Sequence, residues 1–156
     1  MEEPRPHSTM ANVISEQYKK SLLNTYTNTT QAVVADGLLR FDNINIDTGC
    51  SIDFTAGSNS VTLDKPGAYL VLADVTFNTD AAGVATIQIN KNGNAINGAT
   101  ASTTTVIGNN YSMDASTIVK VLPSCAVVDN TAVITVANTG IAATYTNVNI
   151  IVIKLC

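Results

Sequence analysis

The 156-residue chain has no tryptophan, a single histidine (His7) and no glutamate beyond Glu16. Only 13% of it is charged, and its three cysteines, Cys50, Cys125 and Cys156, form no C-x-x-C pair. Each shortage excludes a chemistry. With one His, near the N-terminus, no imidazole is left to activate a Ser or Cys nucleophile elsewhere. The same lack leaves no zinc-ligand set. Gly57 to Lys65 lacks the Gly-Lys-Ser/Thr ending of a phosphate loop. Asp42, Asp47 and Asp53 fall on different strands or turns and read as solvated strand ends, not as an acid/base pair. The run Asp42-Asn43-Ile44-Asn45-Ile46-Asp47 is a poor calcium loop, because Ile44 and Ile46 read as core. No catalytic residue, metal site or cofactor is expected, and the chain does not read as an enzyme.

Other absences bear on location and partners. No run of 18 apolar residues suggests a membrane span. The start, MEEPRPHST, is polar and lacks the apolar region of a signal peptide. The expectation is a protein that acts inside a cell or leaves it by lysis or assembly. Net charge is −4 and the eight basic residues are scattered. No Lys/Arg stripe follows Gln31, so nucleic-acid binding is not expected. An odd cysteine count leaves at least one thiol free or intermolecular. Either the thiols are buried and inert, or terminal Cys156 cross-links neighbouring subunits.

What is plentiful is β-forming. There are 21 Thr and 17 Asn, with abundant Val and Ile and few strong helix formers, so the bulk of the chain is β. Its length suits one domain that buries roughly 70% of its unfolded surface. Strands are expected near 32–35, 38–46, 50–55, 59–64, 68–78, 84–91, 94–107, 112–122, 126–137 and 145–155. Turn chemistry separates them: Asp36-Gly37, Pro66-Gly67, Ala82-Gly83, Asn92-Gly93 and Thr139-Gly140 among others. Ten short strands with turns at this spacing indicate an all-β sandwich. Asn92-Gly93 suits a type I′ hairpin turn, and Pro66-Gly67 a type II turn.

The strands are of two kinds. In 59–64 and 84–91 apolar and polar residues alternate, as in a sheet with one wet face. Strand 68–78 is apolar on both faces: Tyr69, Val71, Ala73, Val75 and Phe77 on one, Ala68, Leu70 and Leu72 on the other. The strands around Ile118 and from Val148 to Ile153 behave alike. A strand apolar on both faces needs cover on both. The second sheet covers one; further copies of the chain are the economical cover for the other. Tyr69, Leu70, Leu72, Ile118, Ile151 and Ile153 are the candidate contact residues, with the face of 68–78 that meets its neighbours left open.

Two divisions are expected: an N-terminal extension or anchoring arm over 1–31, helical or extended, and a sandwich domain over 32–156. Residues 1–9 read as an extension ahead of Met10. Val13 to Tyr26 spaces Ile14, Tyr18 and Leu22 by four, predicting a helix of about three turns, too short to stand alone in water. It docks either on its own domain or on a partner. Between the expected strands 94–107 and 112–122, Asn109, Asn110 and Tyr111 form a candidate ligand loop. Tyr111 offers a surface glycan an apolar platform with a polar tip; simple solvation is the alternative.

Gly49-Cys50-Ser51-Ile52, Ser60-Val61-Thr62-Leu63, Lys65-Pro66-Gly67-Ala68-Tyr69-Leu70-Val71, Ile87-Gln88-Ile89-Asn90 with Asn92-Gly93, Gly98-Ala99 and the apolar C-terminal strand together resemble the C1q/TNF-like jelly-roll superfamily, in its bacterial and bacteriophage branch. The likeness covers about 32–156 and extends to exosporium-filament heads of the BclA type and to phage fibre or decoration proteins. It implies a homotrimer whose Pro-Gly-x-Tyr strand and last strand line the three-fold axis, and a structural or adhesive role. There is no Gly-X-Y stalk. In its place the N-terminal arm would join the head to a larger virion or appendage, so the implied location is a virion or an extracellular surface assembly.

Overall fold

The computed structural model describes residues 20–123 and 131–156. They form eleven strands: β1 (Leu22–Thr27), β2 (Gln31–Val33), β3 (Asn43–Thr48), β4 (Ile52–Asp53), β5 (Val61–Leu63), β6 (Gly67–Asn78), β7 (Gly83–Lys91), β8 (Asn94–Thr105), β9 (Tyr111–Val121), β10 (Ala132–Asn138) and β11 (Ala143–Lys154). One antiparallel sheet runs β3-β1-β11-β6-β9, with β2 also on β11; the other runs β4-β5-β10-β7-β8. Period-2 alternation sends one face of each sheet inward. Tyr69, Val71, Val75, Phe77, Tyr145, Val148, Ile150 and Val152 from the first sheet meet Val61, Leu63, Ile87, Ile89, Ile134 and Val136 from the second.

The expected helix over Val13–Tyr26 is not one where it is described. Leu22–Thr27 is a strand inserted between β3 and β11, paired with both. The same residues support either period. Leu23, Thr25 and Thr27 point into the sandwich and Leu22, Asn24 and Tyr26 away from it. Six ladder partners on β11 outweigh a helix too short to nucleate well. The buried hydroxyls are satisfied: Thr25 donates to the Asn43 carbonyl and Thr27 to the Arg40 carbonyl. The sheet therefore begins ahead of the expected 31/32 boundary. Residues 13–19 of the expected helix, with Ile14 and Tyr18, lie outside the described residues, as does 126–130 of the expected strand 126–137.

Two turns position the surface discussed below. Asn92 and Gly93 both have positive φ, 53° and 80°, as a type I′ turn between β7 and β8 requires. Gly67 has φ of 148° and opens β6 rather than closing a type II turn. Its glycine is needed because the Cys156 carbonyl occupies the space a Cβ would take. The chain thus passes at Pro66-Gly67 from β5, in the five-stranded sheet, to β6, between β11 and β9 in the other.

Candidate assembly surface

The outward face of the β3-β1-β11-β6-β9 sheet is built in cross-strand rows. In the first, Leu22 faces Ile153, Ile153 faces Leu70, and Leu70 faces Ile118. In the next, Ile46, Asn24, Ile151, Leu72 and Ser116 follow one another across the sheet. One step on, the row turns polar: Tyr26, Asn149, Asp74 and Asp114. Beyond it Thr76 faces Asn147 and Ser112. The face is apolar at one end and wet at the other. Ile118 is 62% exposed and Ile46 41%, while Leu22, Leu70, Leu72, Ile151 and Ile153 are half-buried only by one another and the sheet.

The expected contact residues separate accordingly. Leu70, Leu72, Ile118, Ile151 and Ile153 share the outward face. Tyr69 does not: it is fully buried in the sandwich, and its hydroxyl donates to the Lys65 carbonyl at 2.6 Å. Period-2 reading separates its face from that of Leu70 but cannot say which face the second sheet covers. Leu22, expected on the arm, instead heads the first apolar row. Ile44 and Ile46, expected in the core, are each 41% exposed on β3, the edge strand of its sheet. Cys50 and Cys156 are exposed free thiols, not buried ones; Cys125 lies outside the described residues.

The sheet has two poles. At the apolar pole the chain enters and leaves: the Lys154 amide donates to the Ser21 carbonyl, and the Ala68 amide to that of Cys156. At the other, Phe77 faces Tyr111 across β6 and β9, and their rings stack 5.8 Å apart. The Tyr111 hydroxyl accepts the Val106 amide at 2.9 Å. One ring face and the hydroxyl are thus engaged, while Val106 and Ile107 project at the tip, 51% and 67% exposed. The Asn109 and Asn110 loop lies beside them, Asn110 accepting from Asn78 at 3.5 Å. A concavity of about 200 Å³ near this pole is lined mainly by Val33, Val34, Ala81, Ile141 and Thr144, with Asp80 its one charge.

Charges are sparse and local. Arg40 holds Asp42 in an exposed ion pair at 2.7 Å, which lowers the Asp42 carboxyl and raises the guanidinium. Asp47 is pushed up by burial and by neighbouring Asp53. Among the described residues no three His, Cys, Asp or Glu side chains come together to hold a metal, and no helix is long and apolar enough to cross a membrane.

No protein-family model matches the chain, and no curated protein matches its sequence. Solved structures do match. The globular domain of zebrafish complement 1qA protein superposes with a TM-score of 0.65 at 9% identity, covering 88% of this chain and 98% of that one. Eiger TNF from S. frugiperda gives 0.66 at 12%, covering 88% and 93%. The fold is the C1q/TNF-like jelly roll. PRD1 vertex protein P5, with a TM-score of 0.55 at 14% identity over 87% of this chain and 97% of its own, adds a phage protein among the neighbours of this jelly roll. At such identities the likeness is one of fold, and the jelly roll's outward face has to be judged on its own residues.

Proposed function

We propose that the chain is a non-enzymatic structural subunit: the homotrimeric jelly-roll head of a phage virion, as capsid decoration or fibre, or of a surface appendage, carried by its N-terminal arm. The observation behind this is the pair of apolar rows from Leu22 to Ile118 and from Ile151 to Leu72. Contiguous apolar rows exposed on one sheet face commonly mark an interaction surface. At about 25 cal/mol per Å² its burial would drive association. Three copies arranged about an axis parallel to β6 and β11 would cover it. The polar rows at the far end then face a wetter part of the same axis. The phage neighbour supports a virion, and β1 starting at the apolar pole supports three arms leaving the trimer together. The test is mass by light scattering at micromolar concentration: a trimer is expected, and a monomer refutes the reading. Removing residues 1–19 should leave the trimer intact and abolish its incorporation into the particle.

A second reading, a receptor- or glycan-binding adhesion head, is favoured by the exposed Val106 and Ile107 at the pole opposite the arm. Because Tyr111 is engaged by Phe77 and Val106, Ile107 and the Asn109-Asn110 loop would make the contact. Ile107→Asp should then abolish adsorption without changing the trimer. Unchanged adsorption removes the tip from consideration.

A further inference from the structure

Lysines far apart in sequence meet on one flank of the sandwich. β9 and β8 form one pair of sheet edges, and β3 and β4 the opposite pair. On the β9/β8 flank, Lys91 at the end of β7 reaches across the gap between sheets and donates to the Lys120 carbonyl at 2.8 Å. Ile118 and Leu122 flank Lys120, 62% and 65% exposed. On the β3/β4 flank stand two carboxylates, Asp47 and Asp53, both exposed, again one from each sheet. Ile44 and Ile46 accompany them, each 41% exposed. Near this end of the strands each flank therefore carries one charge pair spanning both sheets and one apolar pair, with the charges opposite in sign. Further along β9 the exposed Asp114 adds a carboxylate to the lysine flank.

Both flanks carry those charge pairs toward the same end of the sandwich. Lys91 faces Ile134, whereas Asp53 faces Thr62, which faces Val133. The two charges are one residue step apart along the strands, about 3.4 Å. In the other sheet the Asp47 row lies three steps, roughly 10 Å, from the Lys120 row, so there the lysine and the carboxylate do not stand level. Rotation about an axis along the strands preserves height, so one subunit's lysine flank can be brought onto another's aspartate flank. The remaining charges at this pole, Lys20, Lys65, Lys154 and Asp64, belong to the chain ends and the β5–β6 connection between the flanks.

We propose that the trimer closes through a heterologous contact in which the Lys91–Lys120 flank of one subunit meets the Asp47–Asp53 flank of the next copy. This rests on the trimeric reading above and specifies how its ring is joined. Partial desolvation and the neighbouring Asp53 push the Asp47 carboxyl upward in the lone subunit, and two lysines would oppose both effects. Exposed ion pairs add little affinity, so the chief consequence is selection. Like flanks placed together would oppose Lys to Lys and Asp to Asp, disfavouring a two-fold dimer. Unlike flanks close a ring.

The test uses charge reversal in the full chain, with wild-type circular dichroism required of every variant. Lys91→Glu with Lys120→Glu should weaken trimerisation about tenfold or more at low salt. Asp47→Lys with Asp53→Lys should do the same. Combining all four reversals in one chain restores complementarity and should restore the trimer. Trimers unaffected by either double reversal, or not recovered by the combination, overturn the flank contact while leaving the trimer standing. A monomeric wild type overturns both. A measurement needing no variant is carbodiimide coupling of mixed ordinary and ¹⁵N-labelled wild-type chains. Peptides joining Lys91 or Lys120 to Asp47 or Asp53 between chains are expected; purely intrachain products count against the proposal.

Discussion

Asp74 of β6 and Asp114 of β9 stand directly opposite each other on the outward face, both exposed, with Asn149 completing their row. Their neighbours along the strands are Leu72, Thr76, Ser112 and Ser116, none of which supplies a positive charge. Like charges in such a pair are destabilising. Asp114→Asn should raise the thermal midpoint, by the equivalent of about 0.5 kcal/mol at low salt, and by less in 1 M salt, where screening does the same work. A midpoint that does not rise would mean the repulsion is already relieved.

Gly67 carries a different kind of constraint. Its φ of 148° is one that L residues rarely adopt, and the Cys156 carbonyl lies where a Cβ would go. Gly57 also has positive φ, 92°, but open space around it. Gly57→Ala should therefore cost only the backbone strain, about 1 kcal/mol. Gly67→Ala should cost that plus displacement of the C-terminus, roughly 2–4 kcal/mol in all. Chemical denaturation of the two variants measures the difference directly; equal losses would show that the C-terminus moves aside freely.

These sites differ in how far the sequence reveals them. The all-β class and most strands were legible because alternation and turn residues are local properties. So was the double apolar character of β6 and β11, which led to Leu70, Leu72, Ile151 and Ile153. Tyr69 was misplaced because alternation defines two faces without saying which one the second sheet covers. Leu22 was misread because Leu22-Leu23-Asn24-Thr25-Tyr26-Thr27 fits a strand as well as a helix, and only pairing with β11 decides. Ile44 and Ile46 look like core until β3 proves to be an edge. The meeting of Lys91 with Lys120 depends on closure of the two sheets over one another and has no local signal at all.

Tyr145 is fully buried beside Phe77, with ring centroids 5.7 Å apart, and its hydroxyl has no hydrogen-bond partner. An unsatisfied buried hydroxyl costs about 1–3 kcal/mol. Tyr145→Phe should thus be neutral or stabilising, by about 1 kcal/mol, in urea denaturation. Burial also pushes the Tyr145 phenol upward, and Tyr69 likewise. Since the folded value lies above the unfolded one, stability is fully present below about pH 10 and is lost as pH rises beyond it. The variant should therefore lose less stability than wild type above pH 10. An identical alkaline profile would mean that another group governs unfolding there.

Leu70 and Tyr69 are adjacent in β6 yet should respond to substitution in opposite ways. Leu70 lies between Ile153 and Ile118 in the first apolar row, facing away from the sandwich. An aspartate there stays solvated in a lone subunit, so Leu70→Asp should keep the wild-type circular dichroism while shifting the mass from trimer to monomer. Burying three carboxylates around one axis would cost several kcal/mol each, far more than the apolar contact returns. Tyr69 points into the core, where its hydroxyl bonds the Lys65 carbonyl. Tyr69→Asp would strand a charge among Val71, Val119 and Val121 and should unfold the chain outright. Sedimentation velocity paired with circular dichroism reads both outcomes. A folded trimer for Leu70→Asp would mean that the outward face of the six-stranded sheet is not where the copies meet.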